Sequence, residues 1–132
     1  MSSKPVPRIT ELSRPYWEGA AAGELRVQRC RNCGARFLYP REWCPKCWTV
    51  DPLWEVVSGR GKIIACTVVA QAPHESYAQT GPYAIAIVAL EEGPQMMTNI
   101  IGCRVEEVRI GMDVVATFEK RGECTIPQFK PR

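Results

Sequence analysis

Histidine is nearly absent: the 132 residues contain one, His74. No Ser-His-Asp or Cys-His set is readable beside any motif, and His74 reads as a solvent-facing loop residue rather than a general base. The acid pairs Glu91-Glu92 and Glu106-Glu107 fall at turns, where solvated charge is the expected role. No Gly-rich phosphate loop opens a helix, because Gly59-Arg60-Gly61 lies between strand-like runs. No apolar run reaches the roughly 18 residues that a membrane span needs. The first residues, Met1-Ser-Ser-Lys-Pro-Val-Pro-Arg8, lack the apolar core of a secretion signal. A net charge of +3 is too mild to imply nucleic acid by itself. The chain is not expected to catalyse a reaction alone, and a reducing cytoplasm is the expected compartment.

Cysteine, by contrast, is abundant, with seven residues. Four of them form two Cys-x-x-Cys pairs, Cys30/Cys33 and Cys44/Cys47, ten residues apart. Each pair can present two thiolates on one side of a tight turn. Four thiolates fit a tetrahedral zinc at about 2.3 Å with no redox change. Such a set leaves no open coordination position, so the metal is expected to be structural; iron is the alternative. Gly34, directly after the second cysteine, suits a left-handed turn beneath the metal, and Pro45 stiffens the second knuckle. Cys66, Cys103 and Cys124 are expected to be small buried hydrophobes.

Residues 1–10 form an expected flexible arm, broken by Pro5 and Pro7. Ser13 as N-cap, Pro15 in the first turn and Gly23 as terminator predict a helix over 14–22. Tyr16 and Trp17 are large for so short a helix and need a covering surface, this protein's own or a partner's. Leu25 and Val27 alternate with polar residues as a short strand, and Phe37 to Pro40 read as a strand over the knuckles. Helix and ribbon are assigned to 11–52, a piece too small to fold without metal. From residue 53 to 132 the pattern is β. Residues 54–71 read as one long strand bent at two glycines. Tyr83–Glu91 and Gln95–Ile101 form a hairpin, 104–109 one helical turn, and Asp113–Glu119 and Cys124–Ile126 two more strands, followed by an extended tail. Residues 73–82 read as a polar loop. The predicted fold is mainly β: a short helix and zinc ribbon, then a five-stranded OB-like barrel. A two-sheet sandwich is the alternative.

On the ribbon, Arg26, Arg29, Arg31, Arg36, Arg41 and Lys46 face only Glu42 over residues 26–46. Phe37, Tyr39, Trp43 and Trp48 are interleaved with them. Arginine forks match phosphates, and aromatic faces stack on bases. A solvated basic face, a polynucleotide site and a site for a nucleotide-tailed cofactor such as coenzyme A all remain open on these residues.

The run Pro15-Tyr-Trp-Glu-Gly19, then Leu25-Arg-Val-Gln-Arg-Cys-Arg-Asn-Cys-Gly34 and Pro40-Arg-Glu-Trp-Cys-Pro-Lys-Cys47, resembles the rubredoxin-like zinc ribbon of the acyl-CoA-associated OB-fold proteins. Ser58-Gly-Arg-Gly61, Thr67-Val-Val69, Pro82-Tyr83, Leu90-Glu-Glu-Gly-Pro94, Arg109-Ile-Gly-Met112 and Pro127-Gln-Phe-Lys-Pro131 continue the likeness. The resemblance implies an accessory subunit of a thiolase-fold enzyme, whether thiolase, acyltransferase or steroid side-chain retro-aldolase. A hotdog-fold hydratase is a possible further companion. It implies a structural zinc on Cys30, Cys33, Cys44 and Cys47, a coenzyme A thioester as ligand, and catalytic residues supplied by the partner. Arg41, Trp48 and Tyr83 are the candidate coenzyme A contacts, by charge, stacking and placement. Tyr16 and Trp17 are the candidate partner contacts. A nucleic-acid-binding ribbon is the runner-up function.

Overall fold

A computed structural model describes residues 6–70 and 82–132. The loop expected over 73–82, His74 included, lies outside the described residues except for Pro82. The element order is α1 (Arg14–Ala21), β1 (Leu25–Arg29), β2 (Arg36–Phe37), β3 (Leu53–Val57), β4 (Arg60–Val69), β5 (Tyr83–Leu90), β6 (Gln95–Ile100), a 3-10 turn (Val105–Glu107), β7 (Asp113–Arg121) and β8 (Cys124–Pro131). No described helix is long and apolar enough to cross a membrane.

α1 starts and stops close to expectation, but Ser13 does not cap it through its side chain. Ser13 is already helical in φ and ψ. Its hydroxyl turns back to Thr10, whose N–H donates to Oγ at 3.0 Å. Gly23 ends the helix at φ 78°, a conformation glycine adopts without a Cβ penalty.

The second half is a closed barrel with strand order β4-β5-β6-β8-β7. β6 and β8 run parallel and meet at Ile100 and Phe129, while every other pair is antiparallel. This is the OB arrangement, and the two-sheet sandwich is excluded. β5 shows why the sequence pattern was clear: its residues alternate strictly between half-exposed and buried, the period of a strand with one face inward.

Two predicted strands need correction. The stretch read as one bent strand over 54–71 is two strands in different sheets. β3 pairs with β1, Leu25 opposite Val57 and Arg29 opposite Leu53, in a three-stranded sheet ordered β2-β1-β3. β4 belongs to the barrel. The chain parts at Ser58-Gly59, where Gly59 takes φ 78°. Glu92, on the β5–β6 turn, holds the junction by accepting the Ser58 N–H at 2.9 Å. The stretch expected as a tail after Ile126 is instead strand, and β8 pairs with β7 from Cys124 to Pro131. The strand over 37–40 is short, confined to Arg36–Phe37. At the other end, the thiol of Cys124 lies 3.5 Å from the Pro7 carbonyl, so the expected arm is in contact with the barrel from Pro7 on.

The ribbon sheet and the barrel share one core. Leu25, Val27, Leu38 and Val57 pack in the same cluster as Ile63, Val88, Met96, Val114 and Phe129. Cys124 is buried, whereas Cys66 and Cys103 are half-buried against that core. Gly61 marks the tightest point, bonded to β5 on one side and β7 on the other. A Cβ there would lie 2.5 Å from Val88 Cγ1 and 2.7 Å from the Ala89 carbonyl oxygen. Backbone cannot yield as a side-chain tip does, so Gly61→Ala is expected to cost about 1–3 kcal/mol. Urea unfolding measures it as a lowered midpoint at unchanged slope.

Candidate metal centre and the surfaces around it

β1 runs straight into the first knuckle. The Cys30 N–H donates to Ala35 O at 2.8 Å and the Gly34 N–H to Cys30 O at 3.2 Å, with Gly34 at φ 74°. The second knuckle repeats the pattern. The Cys44 N–H donates to Thr49 O at 2.9 Å and the Trp48 N–H to Cys44 O at 3.0 Å. The two turns face each other and bring all four sulfurs within 4.8 Å of one another. Cys30 Sγ lies 3.4 Å from Cys47 Sγ, and Cys33 Sγ 3.6 Å from Cys44 Sγ. Those spacings are too long for disulfides, whose S–S bond is about 2.05 Å. They approach the roughly 3.8 Å edge of a tetrahedron built on about 2.3 Å metal–sulfur bonds.

The backbone is already arranged for thiolates. The N–H groups of Asn32 and Cys33 point at Cys30 Sγ, each at 3.4 Å, and that of Lys46 at Cys44 Sγ at 3.3 Å. The Cys33 N–H thereby pulls the Cys30 thiol below its ordinary range. Hydrogen bonds from Thr49, hydroxyl first and then N–H, do the same for Cys47. Cys33 goes the other way. The Ala35 N–H pulls it down, but desolvation and the neighbouring sulfurs outweigh that and raise it. Four thiolates cannot all ionise side by side without a cation between them, so the donor set fits a closed zinc site.

Gln28 anchors the loop that carries the second knuckle. Its side chain, 1% exposed, donates to the Arg41 carbonyl at 2.9 Å and accepts the Arg41 N–H at 2.7 Å. Nothing in the sequence marked this residue, which reads as the polar half of an alternating strand.

The basic stretch is less basic than its count. Arg29 and Arg36 both pair with Glu55, at 3.6 and 2.9 Å. Arg26 pairs with Glu24 at 2.9 Å, and Arg31 with Asp51 at 3.5 Å. All three carboxylates lie just outside residues 26–46, and β3 brings Glu55 alongside β1. Among the described residues only Arg41 and Lys46 of the six show no ion pair. A continuous phosphate-binding face is therefore not presented, and the nucleic-acid reading loses its main support.

The other candidate residues fall in separate places. Arg41 borders a groove with Gln28, Glu42, Asp51 and Trp54. Tyr83 borders a different hollow on the barrel, with Ile85, Met97 and Asn99. Trp48 sits at the tip of the second knuckle, 70% exposed. It occupies the position that Gly34 holds in the first knuckle and shares its left-handed backbone, at φ 65°. That conformation is costly for a bulky residue. Trp48 stacks on Trp43, with ring centroids 6.0 Å apart at 16°, and Val50, 67% exposed, continues the apolar tip. Tyr16 and Trp17 meet edge to face at 4.9 Å. Both are half-buried by this protein's own chain, and Tyr16 packs on the main core.

A four-cysteine ribbon fused through one core to an OB barrel defines the class: a zinc-ribbon/OB-fold protein. Residues 17–51 match the family model described as ChsH2, rubredoxin-like zinc ribbon domain, and residues 54–119 that described as ChsH2, C-terminal OB-fold domain. The chain belongs to this ChsH2 (DUF35) family. It is 42% identical over 93 residues to a DUF35 domain-containing scaffold protein of Methanocaldococcus jannaschii, covering 70% of this chain and 65% of that protein. It is 33% identical over 131 residues to a probable enoyl-CoA hydratase alpha subunit of Thermomonospora curvata, covering 97% of this chain and 40% of that one. It thus spans under two thirds of the length of both relatives. Among solved structures, a chain of the Ltp2-ChsH2(DUF35) aldolase superposes with a TM-score of 0.84 at 31% identity, covering 96% of this chain and 98% of that chain.

Proposed function

We propose that this chain is a non-catalytic accessory subunit that docks on a thiolase-fold enzyme and helps to hold its acyl-CoA substrate. The observation that carries the reading is the near full-length likeness to a chain of an Ltp2-ChsH2(DUF35) aldolase. Relatives named as a scaffold protein and as a hydratase alpha subunit support it. So does the apolar ribbon tip. Metal and backbone fix it in place, so little side-chain freedom is lost on docking. Trp43 and Val50 are assigned to the partner, with Tyr16 and Trp17 at the helix. Arg41, free of an ion pair among the described residues, is assigned to phosphate, Trp48 to the adenine face, and Tyr83 to the barrel side of the ligand. A retro-aldolase is the partner type closest to the structural relative, and a hotdog-fold hydratase is a further companion.

The test is co-expression with a thiolase-like enzyme encoded beside this chain. Co-elution at moderate salt is expected. Val50→Asp, at a site open to solvent, should leave folding unchanged and weaken the complex at least about tenfold, as for a charge placed in an apolar contact centre. Arg41→Ala should weaken coenzyme A binding to the complex without splitting it. Separate elution of the wild-type chains would overturn the reading.

A further inference from the structure

Where α1, the ribbon and β6 meet, the described residues leave a cleft of about 190 Å³. Tyr16, Trp17, Leu38, Tyr39, Met96 and Met97 are among those that line it. Its character is aromatic and thioether throughout. Met96 is buried at its base, and Met97, 62% exposed, stands at its edge. An apolar cavity of about 150 Å³ takes a benzene, so this one has room for roughly seven or eight carbons. One polar group is out of keeping. The Tyr16 hydroxyl makes no hydrogen bond with any described residue, although its ring is packed against the core. Burial first, and then the neighbouring Tyr39, push its pKa up to about 12. It therefore stays protonated at neutral pH, a donor that lacks an acceptor. A desolvated donor without an acceptor is a cost to the fold that a bound ligand can relieve.

We infer that this cleft is a binding site for a small apolar compound of about seven or eight carbons bearing one carbonyl group, the carbonyl accepting from Tyr16 and the hydrocarbon lying among Trp17, Leu38 and Met96. The site goes beyond the docking role and stands whether or not coenzyme A or a partner enzyme binds. Its ligand chemistry has two sources, a free ketone and the acyl end of a thioester.

The zinc-loaded full chain, labelled at its methionine methyls, is titrated with cyclohexyl methyl ketone, with the N-acetylcysteamine thioester of cyclohexanecarboxylic acid, and with ethylcyclohexane. The Met96 and Met97 methyl signals are expected to shift with both carbonyl compounds. Ethylcyclohexane should bind about tenfold more weakly, the span of one neutral hydrogen bond. Tyr16→Phe should erase that difference and leave the hydrocarbon's affinity unchanged. A thioester that binds tighter than the ketone assigns the cleft to the acyl end of a thioester, and the reverse order to a free ketone. Should Tyr16→Phe not fold, the wild-type comparison decides. Absence of methyl shifts, shifts mapped away from the cleft, or equal binding of ketone and hydrocarbon would each overturn the inference.

Discussion

Cys44→Ser is expected to abolish zinc retention and to melt the whole chain, not the ribbon alone. Cys44 is fully buried, and its sulfur is one of four that no other group can replace. Structural zinc sites of this kind supply apparent binding energies of about 10–16 kcal/mol, comparable to the entire stability of a domain. The ribbon holds little else, since its own cluster consists of Cys30, Phe37 and Cys44 with Ala35 and Cys47 packed on it. The loss spreads because Leu25, Val27, Leu38 and Val57 belong to the barrel's core and β3 leads directly into β4. Elemental analysis should find about one zinc per wild-type chain and none in the variant. Melting followed by far-UV circular dichroism and by tryptophan fluorescence should fall together by about 15 °C or more. A strong chelator should reproduce the result on the wild type. If the fluorescence transition moves while the barrel's transition stays put, ribbon and barrel are independent and the shared-core explanation is wrong.

Phe129→Ala carries the next largest effect. The ring is fully buried, and its strand position closes the barrel. Phe129 lies opposite Ala116 of β7 and Ile100 of β6, and its carbonyl accepts the Ile101 N–H at 2.8 Å. Deleting a buried phenyl costs about 3–5 kcal/mol, part lost transfer energy and part residual cavity. Phe129→Leu, which keeps much of the volume, should cost well under half of that. Urea titration of both variants separates the two. Equal losses would mean that the site matters through backbone pairing rather than side-chain volume.

The metal centre was legible because thiolate pairs at that spacing have few other uses, and β5 was legible because its alternation is strict. Phe129 was not. Pro127 and Pro131 made its surroundings look like a tail, since a proline cannot donate to a ladder. β8 has a partner along its whole length only on the β7 side, with a single pairing to β6, which leaves room for residues without an N–H. The break between β3 and β4 was equally hidden. Trp54 to Gln71 reads as β throughout, and local pattern does not say which sheet a strand joins. The same gap concealed the neutralised arginines. Glu55 meets Arg29 and Arg36 only through the register of β3 on β1, so a charge count over a window of sequence overstated the field.

The parallel β6–β8 contact sets an order of events during synthesis. β8 follows every strand it must join, so the stave that seals the barrel leaves the ribosome after all the others. Until then β6 and β7 keep raw edges. The knuckles, complete by Thr49, can capture their ion long before that moment, giving the growing chain one finished corner while the rest still waits for its lid.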